Sequence, residues 1–129
     1  MIARMAPLLD PESYVFAMSP DMVLAARALA TIREAEGLSV ILTRAEARAA
    51  GLPDDAPMRR ITLTVHSALD GVGLTAAVAQ ALAVRAIPCN VVAGFHHDHL
   101  FVPEAQAGDA MAALAALCAA AQAASDNSA

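Results

Sequence analysis

The chain has 129 residues, a net charge of −5, and a composition that is 58% hydrophobic and 16% charged. This length suits one compact domain or two small interlocked lobes. All of its basic residues are arginines, no basic cluster is larger than Arg59-Arg60, and only 3% of its residues are aromatic. These features exclude a basic stripe or a base-stacking surface for nucleic acid, and they exclude a basic patch for an anionic membrane.

The N-terminal half predicts two strands separated by an ambiguous segment. Tyr14–Met18 is a β-prone run between two prolines, which predicts an edge strand. Met22–Glu36 has the composition of a helix, but a loop followed by a strand over Leu29–Glu34 is the alternative. Apolar residues then alternate with polar ones, which predicts a second strand, at Leu38, Val40 and Leu42.

A short helix and a polar connector follow this strand. Thr43 can cap a helix over Arg44–Ala50, which Gly51 and Pro53 end. The connector Asp54–Pro57 is the predicted boundary between an N-terminal lobe, residues 1–57, and a C-terminal lobe, residues 58–124.

The C-terminal half predicts the order strand, helix, strand, strand, helix. Alternating apolar and polar residues predict a half-buried strand over Ile61–Val65, and helical spacing of apolar residues predicts a helix over Leu74–Arg85. Cys89–Phe95 and His99–Val102 are predicted strands joined by a turn at His96–Asp98.

The chain then ends in a helix and a tail. Met111, Leu114 and Leu117 lie on one side of the final helix, and residues 125–129 are predicted to be a disordered tail. The C-terminal order of elements is the split βαβ arrangement of ferredoxin-like folds, lacking one strand that Tyr14–Met18 can supply.

One long segment resembles a known family. Residues 65–77, Val-His-Ser-Ala-Leu-Asp-Gly-Val-Gly-Leu-Thr-Ala-Ala, are similar to a group of bacterial ACT-domain proteins of unassigned function. The segments Tyr14–Phe16, Arg33–Ser39 and Cys89–Pro103 agree with the same group, so the resemblance covers nearly the whole chain.

The resemblance implies an α+β fold of two interlocked ACT-like lobes, with antiparallel sheets and helices packed on one face. The N-terminal lobe is abbreviated, and residues 29–34 are expected to form a strand. The group is similar to the paired ACT modules of aspartate kinases and to CASTOR-type arginine sensors. Those relatives bind amino acids between ACT units, so we expect a regulatory protein that binds an amino acid, forms a homodimer and acts on a separate effector protein.

The predicted ligand site centres on the loop before the helix that starts near Leu74. Amides at a helix N-terminus can bind a carboxylate, glycines allow its close approach, and Asp70 can accept from an α-ammonium group. In ACT relatives the equivalent loop holds the ligand's backbone groups, and that role carries over to Asp70, Gly71, Val72 and Gly73. The predicted ligand set also includes His66, Ser67 and Leu74 around this loop, and Asn90 on a strand that contacts the ligand in ACT relatives. The alternative is that the loop only caps the helix and that Asn90 only satisfies a strand end.

The four histidines of the chain suggest a metal-binding site as a hypothesis. His96, His97 and His99 flank Asp98, and His66 is predicted on a neighbouring strand. Histidine and carboxylate are ligands for zinc, but adjacent residues of a strand point to opposite faces. The interpretation of these residues as turn and sheet-edge polarity is favoured, and no metal or other cofactor is expected.

We expect no catalytic activity. The sequence has no serine elbow, phosphate loop or zinc-protease motif, and its cysteines, Cys89 and Cys118, are predicted to be small buried apolar residues. Residues 1–11 lack the apolar core of a signal peptide, and the apolar run Ala110–Ala121 is too short to span a bilayer, which predicts a cytoplasmic protein. The alternative function is a protein-interaction module without a ligand, supported by Phe16, Phe95 and Phe101 near strand edges.

Overall fold

The computed structural model of the chain describes residues 4–64 and 73–127. The chain divides into a larger unit, Met1–Asp10 with Arg59–Ala129, and a smaller unit, Pro11–Met58. A 3-10 turn, Glu104–Gln106, precedes the last helix. The strands and α-helices are, in chain order, β1 (Pro7–Met18), α1 (Met22–Arg27), β2 (Ala30–Glu34), β3 (Gly37–Thr43), α2 (Arg44–Ala49), β4 (Met58–Leu63), α3 (Leu74–Ala83), β5 (Asn90–Ala93), β6 (Asp98–Pro103) and α4 (Ala107–Asn127).

In the smaller unit, β3 lies between β1 and β2 and is antiparallel to both. Val15 and Ala17 of β1 alternate with Phe16 and Met18, which are both 45% exposed. The buried side of this sheet forms the core of the unit, in which the buried side chains are Val15, Val40, Leu42 and Ala47. Period-two alternation thus gives Val15–Met18 of β1 one covered and one open face, whereas Val40, Ile41 and Leu42 of the central strand β3 are all buried.

The ambiguous segment contains both of the structures that its sequence allowed. Asp21 begins α1, since its carboxylate accepts hydrogen bonds from the amides of Val23 and Leu24 at 2.9 and 3.2 Å. The helix ends after six residues, and Ala30–Glu34 pairs with β3 instead. The helix prediction over Met22–Glu36 is therefore wrong beyond Arg27, because ladder hydrogen bonds to β3 outweigh helix propensity. The strand that the resemblance implied is confirmed.

The predicted cap of α2 is confirmed. The Thr43 hydroxyl accepts from the amide of Glu46 at 3.1 Å, and the Glu46 carboxylate accepts from the amide of Thr43 at 2.9 Å. This reciprocal pair is a capping box, and it satisfies two amide donors that the first turn of a helix leaves without intrahelical partners. The cap fixes the point at which β3 turns into α2.

In the larger unit, β6 lies between β4 and β5, and β4 is also hydrogen-bonded to β1. The helix α3 joins β4 to β5, so the predicted split βαβ arrangement is confirmed, as is the α+β, ferredoxin-like class. Helices α3 and α4 cover one face of these strands. The buried core comprises Met5, Ile61, Leu63, Leu74, Val78, Leu82, Ile87, Leu100, Val102, Ala107, Ala110, Ala113 and Leu114.

The first strand is longer than predicted, and it is not an edge strand. It begins at Pro7, continues through Pro11, and is hydrogen-bonded to β3 and to β4. Arginines of β4 hold its first part, since the guanidinium of Arg59 donates to the carbonyl of Asp10 at 2.7 and 3.0 Å. The larger unit therefore takes its N-terminal strand from residues before Pro11, whereas Tyr14–Met18 pairs with β3.

Three predictions about the C-terminal half are corrected. Phe95 lies beyond the end of β5, in the turn, and is 80% exposed, because the chain leaves the ladder after Ala93. Phe101 is 1% exposed and therefore cannot act as an exposed edge residue. Helix α4 continues to Asn127, three residues into the predicted tail, and the Gln122 amide donates to Asp126 one turn later.

The last helix is also longer than the apolar run considered above. By length and composition, Glu104–Ala124 could cross a membrane, which makes the argument from Ala110–Ala121 insufficient. The same helix contributes Ala110, Ala113 and Leu114 to the core of the larger unit. Only 22% of the apolar window of this helix is buried, so these core contacts cover one side of it.

Candidate functional site

The helix that follows the predicted ligand loop begins on a glycine. Gly73 occupies the N-cap position of α3 with φ of 109° and ψ of −36°, a region that residues with side chains rarely adopt. A Cβ at this position would meet no atom within 4 Å, so the requirement for glycine is conformational rather than steric. The carbonyl of Gly73 accepts from the amide of Ala77 at 2.8 Å and starts the helix.

The first turn of α3 has no negative group of its own. Gly73 has no side chain that could accept from the following amides, and the turn contains no acidic residue. Leu74, Val78 and Leu82 are buried and fix the helix on the core. Among the described residues no side chain accepts from the first amides of α3, and the partial positive charge of such a helix end favours a bound carboxylate.

Most of the predicted ligand residues lie outside the described part of the chain. These are His66, Ser67, Asp70, Gly71 and Val72. Of the predicted set, the structure describes Gly73, Leu74 and Asn90. Leu74 is 4% exposed and serves the core, so its side chain is not available to a ligand.

Asn90 is exposed on β5, the last strand of the order. It lies opposite Phe101, whereas its neighbour Val91 lies opposite Leu100, a buried core residue. Since opposite residues of an antiparallel pair share a face, the Asn90 side chain lies on the face that helices α3 and α4 do not cover. This agrees with the prediction that it points away from Cys89 and Val91.

The histidines of the β5–β6 hairpin do not converge on one point: His96 and His97 lie in the turn, whereas His99 lies on β6. The rings of His96 and His97 have centroids 6.2 Å apart, and the Phe95 ring meets His96 edge-on at 4.9 Å. His99 lies on β6, where its Nδ1 is 3.0 Å from the hydroxyl of Thr62. Within residues 4–64 and 73–127, no three His, Cys, Asp or Glu side chains are placed to hold a metal ion.

The environment of His99 disfavours its charged form. Burial lowers the pKa of His99 below its ordinary value, and repulsion from Arg60 and His97 lowers it further, while Asp98 acts in the opposite direction. Gly94 lies against the ring, since a Cβ there would be 3.4 Å from Nε2 of His99. The neutral ring and Thr62 therefore form a hydrogen-bonded pair on the face of the sheet that also carries Asn90.

An ion pair beside this histidine was not predicted. The guanidinium of Arg60 donates to the carboxylate of Asp10 at 2.7 and 3.2 Å, and both side chains are largely buried. From the sequence, Arg59-Arg60 is identified only as a small basic cluster, and neither arginine is assigned a partner. The alternation of Arg60 and Thr62 with the buried Ile61 and Leu63 was the available signal, because it places both polar residues on the open face.

The cysteines have the properties of inert residues. Cys89 and Cys118 are half-buried, form no disulfide, and pack against the core of the larger unit. Burial raises the pKa of the Cys89 thiol, whereas a nucleophilic cysteine needs a lowered one. Cys89 is therefore not activated as a nucleophile.

Family comparisons cover most of the chain. Sequence profiles of the ACT domain match residues 1–59 and residues 56–116. No curated protein matches the chain.

Solved structures show the same architecture. A Vibrio cholerae protein of unknown function, described as a possible transport protein, is 43% identical, with a TM-score of 0.80 over 88% of this chain and 90% of that one. The ligand-free regulatory subunit of aspartate kinase from Thermus thermophilus is 11% identical, with a TM-score of 0.64 over 89% and 97%. An Agrobacterium tumefaciens protein is 19% identical, with a TM-score of 0.64 over 82% and 81%.

Proposed function

This chain belongs to the ACT-domain family, and we propose on that basis that it is a regulatory protein that binds a small-molecule ligand and catalyses no reaction. The similarity to the regulatory subunit of an aspartate kinase supports this role at the level of the fold. The family assignment and the half-buried, unactivated Cys89 both favour binding over chemistry.

We propose further that the ligand is an amino acid. The observation that carries this proposal is the N-terminus of α3, which starts on Gly73 with no side-chain acceptor among the described residues and with no acidic residue in its first turn. Such an end suits an α-carboxylate, and Asp70 would accept from the α-ammonium group of the same ligand. His66, Ser67, Gly71 and Val72 complete the proposed loop, and Asn90 is a further proposed contact.

We extend this proposal to the oligomeric state and the cellular location of the protein. The chain would act as a cytoplasmic homodimer, and the bound ligand would stabilise one arrangement over another because it binds them with different affinity. Since ACT lobes are regulatory modules, the signal would pass to a separate effector protein.

A thermal-shift screen of the twenty amino acids tests the proposal. At least one should raise the melting temperature, because a ligand at 100 times its Kd adds about 2.7 kcal/mol to the stability of the native state. Asp70→Asn should weaken binding of that amino acid, and Asp109→Asn, an exposed acid in the first turn of α4, is the matched control. A flat response across all twenty would overturn the proposal.

The alternative function is a protein-interaction module that has lost its ligand. The specific observation that favours it is Phe95, which is 80% exposed at the tip of the β5–β6 hairpin beside His96. Aromatic residues, phenylalanine among them, are enriched in protein–protein interfaces. This alternative predicts a flat amino-acid screen together with self-association that Phe95→Ser abolishes.

A further inference from the structure

The smaller unit contains a cleft that belongs to none of the sites described so far. It lies beside helix α1 and strands β2 and β3, and its volume is about 420 Å³. This volume falls within the ~300–1,000 Å³ range of small-molecule sites in proteins. The cleft is lined by Met22, Ala25, Ala26, Thr31, Arg33 and Leu38.

The floor of the cleft is apolar. Ala25 and Leu38 are half-buried and pack against the core of the smaller unit. Met22 stands at the rim and is 69% exposed, and its flexible thioether can adapt to different partners. A small aliphatic chain would cover these surfaces and remove apolar area from water.

One end of the cleft carries the positive charge of Arg33. Arg33 and Thr31 are two residues apart on β2, so they share the face that α1 covers in part. The guanidinium group of Arg33 makes no hydrogen bond or ion pair with any residue of the described ranges 4–64 and 73–127. Its neighbour Glu34 does not neutralise it, because the Glu34 carboxylate accepts a hydrogen bond from the Ser39 hydroxyl on the other face of the strand pair.

The charge of the lining selects the class of ligand. An arginine beside a threonine hydroxyl offers donors to a carboxylate, which guanidinium groups bind with two parallel hydrogen bonds. None of the six lining residues is acidic. The α-ammonium group of an amino acid would therefore lie near Arg33 without a partner, and this disfavours amino acids at this position.

We propose that this cleft binds a small aliphatic monocarboxylate, with the carboxylate on Arg33 and Thr31 and the chain over Ala25, Ala26 and Leu38. The site is separate from the loop of the proposed function. It recognises an acid that lacks an amino group, and it gives the protein a second input.

The test is a titration of the ¹⁵N-labelled protein, followed through its amide resonances, with three probes of equal chain length: hexanoate, 1-hexanol and norleucine. Hexanoate should move the resonances of α1, β2 and the start of β3 in a saturable way. Hexanol, which lacks the charge, should bind at least about tenfold more weakly at these residues. Norleucine should leave them unchanged, whatever it does near Gly73 and Leu74.

Substitutions of exposed residues make the test specific. Arg33→Gln should raise the Kd for hexanoate at least about tenfold, and Ala26→Leu should block the cleft. Arg27→Gln is the matched control, because Arg27 is an exposed arginine of α1 that does not line the cleft.

Two results would overturn the proposal. One is the absence of saturable shifts at residues 22–38 with hexanoate, and the other is an equal response in the Arg33→Gln and Arg27→Gln variants. Neither result bears on the amino-acid site, whose own screen could still succeed.

Discussion

The two units of this protein are stabilised in different ways. The larger unit has a continuous core in which Ile61, Leu63, Val78, Leu82 and Leu114 are at most 1% exposed. In the smaller unit the buried cluster is Val15, Val40, Leu42 and Ala47, and none of the six residues of α1 is buried. The geometry of the smaller unit instead depends on strand pairing, on the Asp21 cap and on the capping box of α2.

This difference indicates where the molecule can adapt to a ligand. An element with few buried contacts opens at a low free-energy cost, whereas an element fixed by a core opens only with the whole unit. Helix α1 therefore suits the wall of an adjustable cleft. Helix α3 suits a fixed anion site, because its N-terminus is held by Leu74 and Val78.

The largest expected effect comes from truncating the core of the larger unit. Leu82→Ala should lower the free energy of unfolding by about 2–5 kcal/mol, because it leaves a cavity beneath α3. Leu24→Ala, in the half-buried face of α1, should cost about 1 kcal/mol. Urea denaturation measures both, and Val84→Ala, at a position that is 66% exposed, is the control. Equal losses at Leu82 and Leu24 would contradict the comparison.

The ion pair of the larger unit should likewise contribute more to stability than the ion pair of the smaller unit. Asp10 and Arg60 have side chains that are 16% and 23% exposed, and a double-mutant cycle with Asp10→Asn and Arg60→Gln should give a coupling of about 1–3 kcal/mol. In the smaller unit, Arg48 pairs with Asp54 but is 62% exposed, so the corresponding cycle should give a much smaller coupling. A coupling at Arg48 and Asp54 as large as at Asp10 and Arg60 would reject this ranking.

The cap of α2 should have an effect near 1 kcal/mol. Thr43→Ala removes the hydroxyl that accepts from the Glu46 amide, and such changes cost about 0.5–2 kcal/mol. Thr43→Ser keeps the acceptor and should restore most of the loss. If the serine variant is as unstable as the alanine variant, the capping box does not account for the stability of this turn.

The smallest expected effects are those of pH. The pKa of His99 is lower in the folded protein than in the unfolded chain, so the unfolded chain binds the proton more readily. The contribution of His99 to the free energy of unfolding is therefore complete above pH 6.5 and is lost as the pH falls through the folded pKa. The hydrogen bond from Arg48 lowers the pKa of Asp54. The contribution of Asp54 to the free energy of unfolding therefore persists down to pH 3.8 and is lost only below that pH. In unfolding measurements between pH 7 and 4.5, His99→Gln should flatten the decline, whereas Asp54→Asn should not.

Local patterns predicted much of the fold. The alternation in β3 and β4, the cap at Thr43 and the helical spacing that starts at Leu74 are short-range signals, and each led to the correct element. The segment Met22–Glu36 could not be assigned from propensity alone, because its second half takes its structure from hydrogen bonds to β3. The resemblance supplied that long-range information.

The candidate sites were less predictable from the sequence, because they depend on contacts between residues that are distant in the chain. Asn90 and its orientation followed from strand alternation. The contact of Arg60 with Asp10 joins residues 50 positions apart in the sequence, and nothing in the local pattern of either residue indicates the other. The cleft at Arg33 likewise needs α1 and β2 to be placed side by side, which the sequence left open.

The strand β1 has a consequence for the synthesis of the chain. Its first residues belong to the larger unit, and its later residues, from Pro11, belong to the smaller one. Met5, which is 0% exposed in the larger core, leaves the ribosome long before its partners Leu82 and Leu114. The smaller unit can pair its strands while translation continues, whereas the larger unit must wait for the final helix. A fragment that begins at Arg59 would also lack Met5, so the boundary between the units is a poor place to cut the gene.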